Sequence, residues 1–382
     1  MSARALASHC GRGPLAATMG CGGAMLRGSS LVLILFVLGL AMLAGAVGGS
    51  WERFPPAAYA ESIEPVRPGQ EDSIRRAVFA DRRLWLLSDA GEIWAVSEGD
   101  GRVRAEPLAD VALDLCVQRG RPTIVTAPRH GAVNWRLQRW QDMRWADVAN
   151  IRVKDEGFVA IACEPDSLIV ITSRRLIELG ANPRVTVLSN RVPTRPANVV
   201  MATPAYVFVG LNAGEWGGGL QRIDRRTGQV RVIERNETGE LCGGPLNVDC
   251  DPVNGVARSP RAQGCVVAAV GLVHMMTSGG LVEICGDHVA SLYREPCSED
   301  RMSSRCATPF FGLIRSGDTL LAVAPDKLVS LGVGGQVSEL VAPSFQAYGP
   351  FQIGFGPSYV LVKTSANGRR SLSGSTPLII PR

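Results

Sequence analysis

Short apolar runs separated by polar turns recur along this chain with a common rhythm. Seven copies of one run are centred on RRLWLLS (82–88), RPTIVTA (121–127), DSLIVIT (166–172), AYVFVGL (205–211), GCVVAAV (264–270), DTLLAVA (318–324) and SYVLVKT (358–364). Each is preceded by another apolar run, such as AVFA, FVAIA, NVVMA or FFGLI, across a tight turn like SGD or EPDS. A third and a fourth run follow, as in EIWAV then RVRAE, or LQRID then QVRVIE, where RRTG supplies the hairpin chemistry. Four strands per unit is the natural reading. From Trp85 to Ile124, Ile169, Val207, Val266, Leu320 and Val360 the gaps are 39, 45, 38, 59, 54 and 40 residues, the length of a propeller blade. Outside the N-terminus no stretch of ten or more residues keeps a helical period. The pattern predicts an all-β, seven-bladed β-propeller of four-stranded antiparallel blades over 74–382.

The N-terminus reads differently. Leu31 to Val47 is 17 residues without a charge, preceded by Arg4, Arg12 and Arg27 and by no acid. A basic segment followed by an apolar one predicts an export signal over 1–46. Ala44-Gly45-Ala46 and Ala58-Tyr59-Ala60 both offer small residues for cleavage, and an uncleaved membrane tether through 31–47 is the alternative. Met19 and Met25 are alternative starts. Proline-rich RFPPAAYAESIEPVRPG sits in a linker over 47–73. Either way the repeat domain is expected outside the cytoplasm, periplasmic or extracellular. Without the leader, 37 basic side chains stand against 35 acidic ones, a balance that argues against a nucleic-acid partner.

Eight cysteines remain beyond the leader, an even number suited to an oxidising compartment. Spacing suggests three pairs. Cys242 with Cys250 and Cys297 with Cys306 would each staple one long loop, and Cys265 with Cys285 would lie level across a hairpin. Cys116 and Cys163 hold equivalent places in the first strands of neighbouring units, where they either pair across blades or stay as buried thiols.

In a propeller blade the turn between second and third strands opens on the same face as the crossover to the next blade. That turn is DAG in unit one and PD in unit six, but NAGEWGGG (212–219) in unit four and GLVHMMTSG (271–279) in unit five. The crossovers after those two units, about 236–255 and 294–308, are also the longest, and unit two adds PRHGAVNW (128–135). Loops of this length in a compact domain are usually functional or disordered, and covalent staples argue against disorder. These insertions predict a ligand or partner surface in one sector, formed by Asn212, Glu215, Trp216, Gly217, Gly218, Arg222 and His274.

Within it, three successive glycines allow close backbone approach, Trp216 offers a stacking platform, and Glu215 offers a hydrogen-bonding or acid/base group. The plain structural alternative is a bulged hairpin with Trp216 packed over the blade and Glu215 paired with Arg222. Glu215 with His130 or His274 is the one constellation suited to catalysis, while His288 should open a fourth strand away from the channel. No HxH or HExxH spacing supports a metal at these histidines. DCDPVNG gathers Asp249, Asp251 and Asn254 as candidate calcium ligands, yet it departs from the calcium-loop spacing, and Asx turns explain it equally. No cofactor is predicted. Asn236-Glu237-Thr238 is a glycosylation sequon, meaningful only on a eukaryotic secretory route.

The hairpin LQRIDRRTGQVRVI resembles that of secreted bacterial quinoprotein-type and sensor-type propeller repeats. The resemblance covers about 74–382 at the level of fold and implies no functional residue. WD, kelch and Asp-box signatures, a vicinal Cys-Cys, a G-x-S-x-G elbow and a phosphate-binding glycine loop are missing from the sequence. The expectation is an exported, monomeric recognition scaffold for a protein, glycan or small molecule. A hydrolase or lyase at the channel mouth and a structural part of an envelope assembly are the alternatives.

Overall fold

The computed structural model describes residues 74–98, 102–129, 134–195, 198–236, 239, 242–274, 276–296, 306–348, 351–364 and 377–382. The predicted leader and linker, His130 and Cys297 lie outside them. The described chain forms seven four-stranded antiparallel sheets, the blades of a seven-bladed propeller. They span 74–106, 111–152, 158–187, 199–233, 253–293, 312–340 and 346–381.

Side-chain alternation explains why the repeating strand is apolar throughout. Along Arg83–Ser88, Leu84 and Leu86 turn towards blade 7, whereas Trp85 and Leu87 turn towards blade 2. Along Val266–His274, Val266 and Ala268 face blade 4 while Val267 and Ala269 face blade 6. Successive residues of a strand point to opposite faces, so a blade covered on both sides needs apolar residues at every position. The core is therefore divided among the gaps between blades, one apolar cluster to each of the seven seams.

Blade 7 departs from the expected inside-to-outside order. In blades 1 to 6 the first strand lies at the axis, but in blade 7 the last strand, Leu378–Pro381, takes that place beside Ile74–Ala80 and Gly312–Ser316. Ile379 packs into the blade 6 seam and Ile380 into the blade 1 seam. The first strand of the blade, Gln346–Tyr348, is short and half polar and stays at the rim. The more apolar strand occupies the drier place, and the ring closes by packing of the terminal strands.

Polar residues cross the seams near the axis. Asp114, on the inner strand of blade 2, accepts from Arg76 Nε of blade 1 at 2.8 Å and from the Ile161 amide of blade 3 at 3.0 Å. The amide of its own neighbour Leu115 is the third donor, at 2.9 Å. Arg76 Nη2 donates to the Asn198 carbonyl, at the entry to blade 4, at 2.6 Å. Cys116 and Cys163 are paired, linking the inner strands of blades 2 and 3, with 5.9 Å between their Cα atoms. Cys242 pairs with Cys250 and Cys265 with Cys285, as spacing suggested. Cys306 is disulfide-bonded as well.

Asp114 is nearly fully buried and holds three donors, so removing its carboxylate strands the Arg76 charge. Asp114→Ala is expected to cost about 3–5 kcal/mol, read as a lowered midpoint in denaturant unfolding.

Candidate functional site

The 212–219 insertion is built by its backbone. After Leu211, Asn212 Oδ1 accepts from the Gly214 amide at 2.8 Å, starting a single 3-10 turn, Gly214–Trp216. Ala213 N donates to Gly217 O at 2.8 Å, and Leu211 N to Gly219 O at 2.9 Å, closing the loop on itself. Gly217, Gly218 and Gly219 have φ of 74°, 140° and 73°. A Cβ on Gly218 would stand 2.1 Å from the Leu211 carbonyl oxygen, and one on Gly217 would stand 2.3 Å from the Val248 carbonyl oxygen. The three glycines are thus required by backbone conformation and close approach.

The crossover after blade 4 lies directly against this loop. Gly218 N donates to Val248 O at 2.8 Å and Gly219 N to Asp251 O at 2.9 Å. The crossover is held by an Asx turn, in which Asn247 Oδ1 accepts from Asp249 N at 2.9 Å, and by Asp251 Oδ2 reaching back to accept from Asn247 N at 2.7 Å. Asn254 then binds three ways. It accepts from Asn212 Nδ2 at 2.6 Å and donates to the Gly271 carbonyl at 2.8 Å and the Phe310 carbonyl at 3.0 Å.

The segment 271–279, expected as a loop, instead continues the blade. Val266–His274 and Met276–Cys285 pair without a break out to His274 opposite Met276, so the insertion is a projecting ribbon. β-branched Val273 and Thr277 face each other across it, which suits strand over loop. The crossover after blade 5 docks on this ribbon: Ala307 N donates to Thr277 O at 3.1 Å and Phe310 N to Val270 O at 3.0 Å. Glu295 anchors that crossover, meeting Lys327 Nζ at 2.5 Å and Thr308 Oγ1 at 2.9 Å. Burial alone would raise its pKa, but these donors hold it below the usual range.

Four insertions from blades 4 and 5 therefore form one hydrogen-bonded assembly on one face. Trp216 stands out of it, 78% exposed, with Glu215 exposed beside it. The alternative of a packed Trp216 and a Glu215–Arg222 pair does not describe this loop. Arg222 is buried in the middle of the third strand, and its side chain points away from this loop, donating to Gly286 O at 2.6 Å, meeting Asp287 at 2.7 Å and covering the Tyr206 ring. His288 is exposed and opens the fourth strand of blade 5. His274 lies at the ribbon tip, across the ribbon from Met276.

Among the candidate calcium ligands, Asn254 is committed to its three partners, Asp251 receives a backbone amide, and Asp249 serves the turn through its own amide. Among the described residues no group of three or more His, Cys, Asp or Glu side chains is placed to hold a metal ion. Asn247, Val248 and Phe310, which brace the assembly, carried no signal in the sequence; only the Asn-x-Asp spacing marks the first.

No family model matches the chain, and no curated protein matches it. Among solved structures it is similar to YCF48 bound to D1 peptide, at 14% identity and TM-score 0.49 over 78% of this chain and 90% of that chain. It is also similar to virginiamycin B lyase from Staphylococcus aureus, at 10% identity and TM-score 0.46 over 81% and 96%. The computationally designed Ika8 protein aligns at 10% identity and TM-score 0.45 over 81% and 89%. The blade count rests on the strand pairing itself, and no activity rests on these likenesses.

Burial raises the pKa of Asp251 from 3.8 to about 6, with the Asn247 amide and Arg294 opposing. Its folded-state pKa lies above its unfolded value, so the charged carboxylate lowers stability above pH 6 and that penalty fades as pH falls. Asp251→Asn is expected to stabilise the protein by up to about 3 kcal/mol near neutral pH, the difference closing towards about pH 4. Paired melting curves across that range check it.

Proposed function

We propose that this chain is an exported recognition propeller whose ligand surface is the assembly made by 212–219, the 242–254 crossover, the 271–279 ribbon and 306–310. The observation that carries the reading is Trp216, a large aromatic side chain left 78% exposed on a loop whose backbone is held at every turn. Large apolar side chains in a soluble domain are normally covered, and an aromatic presented on a pre-ordered loop loses little entropy on binding. Glu215, exposed next to it in the chain, adds a polar group, while Asn212 holds the loop through Gly214 and Asn254. A flat aromatic face beside a hydrogen-bonding side chain suits the face of a sugar ring or a planar peptide side chain.

The experiment titrates the full-length protein with neutral oligosaccharides and with an immobilised peptide library, following Trp fluorescence and retention. One class is expected to give saturable binding that Trp216→Ala weakens by about tenfold or more, roughly 1.4 kcal/mol. The melting temperature should stay unchanged, because Trp216 covers little of the core. Binding retained in full by Trp216→Ala would overturn this reading.

A further inference from the structure

The opposite face of the ring carries a second feature, built from arginines. A two-residue turn, Arg119 and Gly120 with φ of 53° and 73°, joins the first two strands of blade 2. Strand register then sorts the neighbours. Gln118 lies opposite Arg121, Cys116 opposite Thr123, and Thr123 opposite Arg139. Alternation places Gln118, Arg121, Thr123 and Arg139 on one side of the sheet. The Cys116–Cys163 bond shows that this side looks at blade 3.

The 164–167 turn of blade 3 forms the other wall. Gln118 Nε2 donates to Glu164 O at 3.2 Å and to Ser167 O at 2.9 Å, and Arg119 Nε donates to Pro165 O at 2.8 Å. Positive charge here exceeds its compensation. Arg139 donates to the neutral Gln118 Oε1, while its Nε and the Thr123 hydroxyl are buried without partners among the described residues. The Arg121 side chain is exposed and makes no hydrogen bond or ion pair among the described residues. Glu164 is taken by Ser167 Oγ at 2.6 Å and by Arg225 at 3.1 Å. Asp166 meets Arg119 at 3.1 Å but is itself 93% exposed, so water screens that pair. Burial, then Arg119 and Arg121, push the Arg139 guanidinium below its ordinary range.

We propose that Arg119, Arg121 and Arg139 form a binding site for a tetrahedral oxyanion, a phosphate or sulfate group, at the edge of the seam between blades 2 and 3. Guanidinium forks donate in pairs, and a tetrahedral anion offers enough oxygens to engage three of them, whereas a planar carboxylate matches one fork. The site stands at the end of the blades opposite Trp216 and is independent of the surface proposed there.

The test follows inorganic phosphate and inorganic sulfate binding to the full-length protein by titration calorimetry and thermal shift, with sodium chloride at matched ionic strength. Wild type is expected to bind saturably and to gain melting temperature beyond the chloride control. Arg121→Gln should leave the ligand-free melting temperature unchanged and weaken binding by about tenfold. Arg139→Gln should abolish binding, and if that variant fails to fold, Arg121→Gln decides alone. Anion shifts equal to those of chloride, or Arg121→Gln binding as wild type does, would overturn the proposal. Tighter binding of phosphate than sulfate would assign the natural group as a phosphoryl one, and the reverse as a sulfuryl one.

Discussion

A four-stranded blade that is apolar on both faces cannot stand in water by itself, and a closed ring leaves none of those faces uncovered. The whole structure depends on that coverage. Each seam is a two-sided apolar contact, and the seam between blades 7 and 1 completes the set through Ile74, Leu84 and Leu86 on one side and Phe351, Ile353, Val360, Val362 and Ile380 on the other. Closure there is by side-chain packing between neighbouring sheets, because Leu378–Pro381 hydrogen-bonds within blade 7 and Ile74–Ala80 within blade 1. Burial is non-directional, so blade 7 can run outside to inside and still meet the requirement.

Apolar seams do not define how far one blade is rotated against the next, and buried polar groups supply that definition. Asp114 gathers donors from blades 1, 2 and 3, and Arg225 of blade 4 meets Glu178 and Glu164 of blade 3 at 3.1 Å each. Glu178 shows the balance of terms: burial would raise its pKa, yet Arg225 and Arg184 bring it below the ordinary value. Arg222 does the same between blades 4 and 5. Such groups are costly to bury unless paired, so each holds its two blades in one relative position.

The candidate site was partly legible in the chain. Turn length and glycine content pointed to 212–219 and to the stapled crossovers, because long insertions and residues that adopt positive φ are local properties. The contact between Gly218 and Val248, and the three bonds of Asn254, were not legible, since each joins segments from different blades. Nearness in sequence does not keep Arg222 beside Trp216: from the middle of Leu220–Asp224 its side chain reaches away to the Gly286–Asp287 turn of blade 5. The length of 271–279 points to a loop, but pairing continues through it, and Gly271 and Gly279 admit the backbone of 308–310 beside the strands.

Blade number, strand count and the pairings of Cys242 with Cys250 and Cys265 with Cys285 came from period and spacing, because hydrophobic alternation and turn chemistry are written locally. Tertiary structure alone decided the inverted order of blade 7, the exposure of Trp216, the pairing of Cys116 with Cys163 and the gathering of Arg119, Arg121 and Arg139. All four depend on which blade faces which. That relation is set by closing the ring, a constraint on the whole chain that no local window of residues contains.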